Sequence, residues 1–376
     1  MNTKIWLSSP HMGGNELSFI NEAFQSNWIA PLGPNVNGFE EDISSYLEKD
    51  SSVACLSSGT SAIHLALVMA DVTLGDEVIC QSMTFSASAN PIIYQGAIPV
   101  FVDSEEETWN MCPNHLENAI KDRISKGKKP KAIIVVHLYG MPAKIDQIKK
   151  IALNYNIVLI EDSAEAFGSS YKGQKCGTFS NYGVLSFNGN KIITTSGGGA
   201  LVCNTKADKN QTVFLATQAR DNAPHYQHSQ IGYNYRMSNI TAGIGRGQMQ
   251  VLDKHIGLRR ANNSFYKSIF KDVKGVTVFT EPSSDYYSNH WLSCILFNDT
   301  SKISAETLRL ALEKENIESR PLWKPMHLQP IFSKYPYFGD KVSENLFLNG
   351  LCLPSGSNLT DSDRERIHKT IVSAFK

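Results

Sequence analysis

Leu56-Ser57-Ser58-Gly59-Thr60-Ser61 reads as a strand that ends in a small, hydroxyl-rich turn and passes into a helix. The first turn of a helix offers free N–H groups and the positive end of the backbone dipole, which suit a phosphate. Gly59 lets the backbone approach such a group closely. Alone, the turn could equally be an ordinary N-cap. A second stretch, Ile157-Val158-Leu159-Ile160-Glu161-Asp162-Ser163-Ala164-Glu165-Ala166, sets Asp162 at the carboxyl end of an apolar strand. Open α/β sheets hold their ligands there. A carboxylate at that point could keep a pyridine nitrogen protonated, or it could cap the next turn. The third stretch is Ser186-Phe187-Asn188-Gly189-Asn190-Lys191, followed by Ile192-Ile193-Thr194-Thr195 and Gly197-Gly198-Gly199. Lys191 is the one charge in this stretch, and its amine could form a Schiff base with an aldehyde. The order of the three says more than any one of them. A phosphate turn, then a strand-end acid, then a lysine after a later strand, is a specific succession, far less expected by chance than any one member, and it would suit pyridoxal phosphate. The protonated ring of that cofactor is an electron sink.

Positioning these groups takes a sheet. Short apolar runs occur at Val53–Leu56, Glu77–Cys80, Ile98–Val102, Ala132–Val136, Ile157–Ile160, Val184–Phe187 and Ala200–Cys203. Each is bounded by turn-forming residues, as buried strands are. Helical patterns lie between them. Ile145, Ile148, Ile151 and Ala152 share a face, and Ser61 to Ala70 is apolar enough for a buried helix. Alternating strands and helices predict an α/β fold around a mainly parallel sheet. Leu17, Ile20, Ala23 and Phe24 mark an amphipathic helix near the N-terminus, and Trp28 to Gly38 reads as a loop. After about residue 250 the pattern changes to helices near 250–272 and 304–316 with strands near 276–279 and 291–297. A last helix opens with Thr360 and Asp363 at capping-box spacing. The expected division is a large domain, 1–250, and a smaller α+β domain, 251–376.

Composition narrows the function. The 376 residues carry 36 basic and 36 acidic side chains, so the basic excess of a nucleic-acid binder is missing. No run approaches the ~20 apolar residues that span a bilayer, and the N-terminus lacks the apolar core of a signal peptide. Seven scattered cysteines, none spaced C-x-x-C, argue for a reducing compartment and against a zinc knuckle. The expectation is a cytoplasmic protein with no metal, membrane or nucleic-acid partner.

The chain resembles the DegT-type sugar aminotransferases over nearly its whole length. Matching stretches are Pro10-His11-Met12-Gly13-Gly14-Asn15-Glu16-Leu17, Trp28-Ile29-Ala30-Pro31-Leu32-Gly33, Phe187 to Thr195, Gly232-Tyr233-Asn234-Tyr235-Arg236, Arg320-Pro321-Leu322-Trp323-Lys324 and Cys352-Leu353-Pro354-Ser355-Gly356. The resemblance implies a fold-type I pyridoxal-phosphate transferase whose large domain holds a mainly parallel seven-stranded sheet. It implies that Lys191 holds the cofactor covalently and later moves protons, and that Asp162 pairs with the pyridine nitrogen. Glu165 would lie near the phenolic oxygen, where many relatives carry Gln, and would need a proton to donate a hydrogen bond. Phe85 would stack on the ring. Ser58, Gly59, Thr60, Ser186 and Asn188 would surround the phosphate end, joined by Asn234 of a second subunit in a homodimer with shared sites. On the substrate side it implicates Asn27, Trp28, Ile29, Ala30, Arg236, Arg320, Pro321, Leu322, Trp323, Lys324 and His327. The implied reaction moves an amino group from L-glutamate to C4 of a UDP-linked 4-keto-6-deoxy-N-acetylhexosamine, as in N-acetylbacillosamine-type pathways.

Other chemistries are weighed against this. An aminotransferase for another nucleotide keto sugar, 3-keto or linked to dTDP or GDP, is the nearest alternative. A dehydratase of the same fold has histidine in place of the lysine, so Lys191 speaks against it. A non-catalytic regulator would have no use for Lys191 and Asp162 together. A nicotinamide dehydrogenase would want G-x-G-x-x-G leading into a helix, whereas Gly197-Gly198-Gly199 leads into a strand.

Overall fold

The computed structural model describes residues 3–48 and 52–376. The seven apolar runs are strands: β1 (Val53–Leu56), β2 (Glu77–Gln81), β3 (Ile98–Val102), β4 (Ala132–Val136), β5 (Val158–Asp162), β6 (Tyr182–Ser186) and β7 (Gly199–Cys203). Later in the chain come β8 (Val276–Val278), β9 (Ser293–Phe297), β10 (Arg320–Pro321), β11 (Tyr337–Phe338) and β12 (Gly350–Leu353). The large sheet has the order β1-β7-β6-β5-β4-β2-β3-β11. All its pairings are parallel except those that β7 makes with β1 and β6. The sheet therefore has eight strands, not the seven expected. The eighth is two residues long, too short to leave an apolar run, and pairs Tyr337 with Phe101 and Phe338 with Val102.

Near-continuous Val, Ile and Leu make these strands, because both sheet faces are covered. On one face α3 (Gly59–Met69) packs against β6 and β7 with most of its residues buried, which explains why its sequence is apolar almost all round. The helices Pro113–Ser125 and Ile145–Asn154 join the core cluster on the other face, the second through Ile145, Ile148 and Ala152.

Two expectations near the N-terminus need correction. The segment 28–38 is not all loop: α2 (Pro34–Tyr46) begins inside it, with Pro34 at the first helical position. The helix α1 (Glu16–Gln25) forms as expected, but Leu17 and Phe24 are 69% and 60% exposed. Glycines of the helix Asn239–Met249 let α1 lie close instead; a Cβ on Gly247 would meet Glu16 backbone at 2.8 Å.

A second sheet, in the order β8-β9-β12-β10, lies against the helices Leu252–Phe270, Ala305–Lys314 and Asp361–Ala374. The capping box of Thr360 and Asp363 is present. Ile5 bridges to Ile317, so the N-terminal arm packs on this later part of the chain. Among the described residues no helix is long and apolar enough to cross a membrane.

Candidate active site

The carboxyl ends of β5 and β6, the start of α3 and the turn after β6 enclose a cavity of about 250 Å³. Ser58, Gly59, Thr60, Phe85, Asp162, Glu165, Ser186, Asn188 and Lys191 all line it. Thus three stretches far apart in sequence meet because parallel strands deliver their carboxyl ends to one edge.

The turn before α3 is built by close backbone packing. Ser58 caps the helix, accepting from Ser61 N at 3.0 Å. The N–H groups of the first turn have no partner within the helix and face the cavity end. A Cβ on Gly59 would stand 3.0 Å from Ser186 Cβ. At Gly199 on the adjacent strand β7 a Cβ would meet the backbone of Ser58 and Gly59 at 2.4 Å, so no larger residue fits there.

Asp162 is buried at the end of β5. Its Oδ2 accepts from Ser88 Oγ at 2.7 Å and its Oδ1 from Ala164 N at 3.2 Å. Burial raises its pKa, opposed by these bonds and by the Lys191 charge. A cationic partner would relieve that cost. Glu165 is also buried, and burial likewise raises its pKa. Tyr139 N donates to its Oε2 at 2.7 Å, and Oε1 lies 3.6 Å from Lys191 Nζ. The Lys191 charge and the bond from Tyr139 N oppose that rise. Lys191 Nζ also lies 4.0 Å from the centre of the Trp291 ring. Asn188 closes the turn beneath it, its carbonyl accepting from Lys191 N at 3.0 Å. Phe85 is 53% exposed, tilted against Trp323 at the mouth, and its face is open for stacking.

The substrate-side expectations fare less evenly. Trp323 lines the cavity, and Arg320, Pro321 and Leu322 join it around an adjoining one. Arg320 is exposed and paired with Glu318 at 2.8 Å. Lys324 is exposed outside both. His327 does not reach either: its Nδ1 bonds Ser82 Oγ at 2.7 Å, its ring stacks on Tyr337, and Glu344 faces its Nε2. Arg236 is likewise committed elsewhere, to Glu40 and to the Cys55 carbonyl behind β1. Asn27, Trp28, Ile29 and Ala30 lie on the surface and line neither cavity, and Asn234 is exposed beside Thr217.

Ser88, which donates to Asp162, the backbone N–H of Tyr139, which donates to Glu165, and Trp291, whose ring faces Lys191, are not among the residues expected from sequence. Nothing in a lone serine or tyrosine signals such a contact. His137, Glu161 and Cys176 offer three ligand atoms within 4.8 Å of one another behind β5. Their geometry is that of a hydrogen-bonded anchor. Ala143 N donates to His137 Nδ1, His137 Nε2 meets Glu161 at 2.8 Å, and Glu161 accepts from Phe179 N at 2.9 Å.

Residues 10–372 match the model of the DegT/DnrJ/EryC1/StrS aminotransferase family. The chain belongs to this family. It is 48% identical, over all of its length and 97% of the relative's, to a provisionally named pyridoxal phosphate-dependent aminotransferase, EpsN, of Bacillus subtilis. It is 38% identical to a GDP-perosamine synthase of Escherichia coli O157:H7, over 94% of this chain and 93% of that one. The pyridoxal-phosphate form of a provisionally named sugar aminotransferase from Streptococcus pneumoniae superposes with a TM-score of 0.88 at 26% identity, covering 99% of this chain and 98% of that one. As a DegT/DnrJ/EryC1/StrS aminotransferase the chain has the fold-type I architecture, and its cofactor is pyridoxal phosphate. The residues fit that group: a tightly packed helix start that could take a phosphate, the buried carboxyl of Asp162 that could face a ring nitrogen, and the amine of Lys191 all line the one cavity.

Proposed function

We propose that this nucleotide-sugar aminotransferase moves the amino group of L-glutamate to C4 of a UDP-linked 4-keto-6-deoxy-N-acetylhexosamine. The observation that carries the reading is the meeting of Lys191, Asp162, Glu165 and the Ser58–Thr60 turn around one cavity, with Arg320 and Trp323 on the adjoining one. Bound there, the cofactor supplies an electron sink for the donor's α-carbon. Lys191 is the residue that holds it and moves the proton. Asp162 keeps the ring nitrogen charged, Phe85 covers the ring, and Ser58, Gly59, Thr60, Ser186 and Asn188 surround the phosphate. Arg320, on the adjoining cavity, meets the diphosphate, where a planar guanidinium is well suited.

The same reading places the enzyme in the cytoplasm as a homodimer, with residues 1–250 and 251–376 as its two domains. What supports the dimer is an exposed apolar stretch: Leu17, Phe24, Trp28, Ile29 and Leu32 are each 43% exposed or more. So much apolar surface in one region marks a partner site. Asn27 to Ala30 and Asn234, which are exposed and stand apart from their own cavity, would then serve the neighbour's or frame the contact.

Relatives that act on GDP-linked sugars keep a second reading in play, with the same chemistry on another nucleotide. The deciding experiment offers purified enzyme and glutamate a panel of UDP-, GDP- and dTDP-linked 4-keto and 3-keto sugars, with product analysis. The UDP-4-keto-N-acetyl sugar should turn over fastest. Faster amination of a GDP sugar or of any 3-keto sugar rejects the substrate assignment.

A further inference from the structure

Trp291 stands outside every role given so far, yet among the described residues it is the largest fully buried side chain, and it forms a wall of the cavity. It presents a ring face, not an edge, to Lys191, with Nζ 4.0 Å from the ring centre. The other close group is Glu165 Oε1 at 3.6 Å, beyond ordinary hydrogen-bond length. Glu165 is also a poor counter-ion, because burial favours its neutral form. An aromatic face attracts an ammonium without taking its proton.

The indole is held more firmly than core packing requires. Its Nε1 donates to the carbonyl of Asn190, the residue before the lysine, at 2.7 Å. Ser8 Oγ donates to that same carbonyl at 2.7 Å. Trp291 N donates to Asn289 Oδ1 at 2.8 Å, and Asn289 Nδ2 donates in turn to the carbonyl of Glu165 at 3.0 Å. Below them lies Arg259, 1% exposed, with only neutral acceptors among its hydrogen bonds. It donates to the Trp291 carbonyl at 2.6 Å, the Ser355 carbonyl at 3.3 Å, Ser8 Oγ at 3.0 Å and the Lys191 carbonyl at 3.4 Å. Burying a guanidinium without an acid is costly. Here one cation ties the backbone of the lysine to the backbone of the tryptophan beneath it.

We propose that the face of Trp291 is the seat of the Lys191 amine whenever that amine is not bonded to the cofactor, and that Arg259 is the positioning residue that fixes this seat. In a transamination cycle the lysine is released from the cofactor in the first half-reaction and recaptured at the end of the second, so its amine is free in between. A seat that holds the ammonium without neutralising it keeps the amine within reach and still able to exchange a proton. The inference rests on the role proposed for Lys191.

The test uses the ring current of the indole. The full chain freed of cofactor, and the holoenzyme treated with excess glutamate, are methylated reductively with isotope-labelled formaldehyde and observed by NMR. The Lys191 resonance is assigned by its loss in Lys191→Ala. It should lie upfield of the other lysines in both samples, move partway back in Trp291→Phe and fully back in Trp291→Leu. Arg259→Met should reduce the shift, and Arg259→Lys, which keeps charge and a donor, should restore part of it. An unshifted Lys191 in the wild-type protein overturns the seat whether or not any variant folds. A full shift in both Arg259 variants overturns the positioning role. Borohydride label on a different lysine would refute the role of Lys191 itself, and that result is independent of the ring shift.

Discussion

A Cβ on Gly199 would stand 2.4 Å from the backbone nitrogen of Gly59. The strand β7 therefore touches the phosphate turn directly, backbone to backbone. Gly199→Ala should push the turn out of shape. Overpacking typically costs about 1–3 kcal/mol, so cofactor affinity should fall about tenfold or more. Gly197→Ala is the control, since a Cβ there meets nothing within 4 Å. Titration of cofactor-free protein by visible absorbance measures both, and equal affinities would mean that the turn does not depend on this contact.

Lys191 should carry the cofactor. Borohydride reduction followed by peptide mapping should place the label there. Lys191→Ala should abolish turnover and leave the fold intact, at a cost of about 1–2 kcal/mol for the lost contact with the Trp291 face. Normal turnover by this variant would reject the mechanism.

Arg320 is expected to serve the nucleotide. It is already paired with Glu318 and well exposed, so its contribution should sit at the low end for charged hydrogen bonds. Arg320→Ala should raise the sugar-nucleotide KM about tenfold and leave the glutamate KM nearly unchanged. An equal rise in both would place Arg320 outside the nucleotide site.

Shared sites can be tested by mixing. Inactive Lys191→Ala and Asn234→Ala subunits should regain activity when unfolded and refolded together, because one site of a mixed dimer is then intact. Mixtures that stay inactive, while each variant pairs normally by sedimentation, would keep Asn234 out of the neighbour's site.

Acid should loosen the base of the active-site turn. His255 stacks on His11 with ring centres 4.6 Å apart, and burial first, then the charge of His11, holds its pKa down to about 4. In the unfolded chain the value is about 6.5. Between those values the unfolded state binds more protons, so stability falls as pH drops from about 6.5 towards 4. The loss should be about 2 kcal/mol after allowance for solvent screening. His255→Gln should flatten this part of the urea-midpoint profile, and an unchanged slope would assign it to other groups.

How much of this was legible beforehand depended on the kind of signal. All seven large-sheet runs were readable because a strand covered on both faces must be apolar along its length. Lys191, Asp162 and the Ser58–Thr60 turn were readable because their order follows the strands that carry them. The fate of His327 and Arg236 was not. Their types suit a diphosphate, but what claims them, Ser82 and Tyr337 for one and Glu40 and the Cys55 carbonyl for the other, comes from distant parts of the chain. Leu17 and Phe24 show the same limit from the other side. Helical spacing marks an apolar face, and cannot say whether this chain or another covers it.

The pairing of β11 with β3 has a consequence for synthesis. An unpaired strand edge invites association with other chains. β3 leaves the ribosome early, while Tyr337 and Phe338, which close its edge, come 235 or so residues later. Until then the growing sheet carries an open border beside an apolar strand. Fragments ending before residue 337 should therefore aggregate, and in the cell the nascent chain would need shielding until Tyr337 and Phe338 are made.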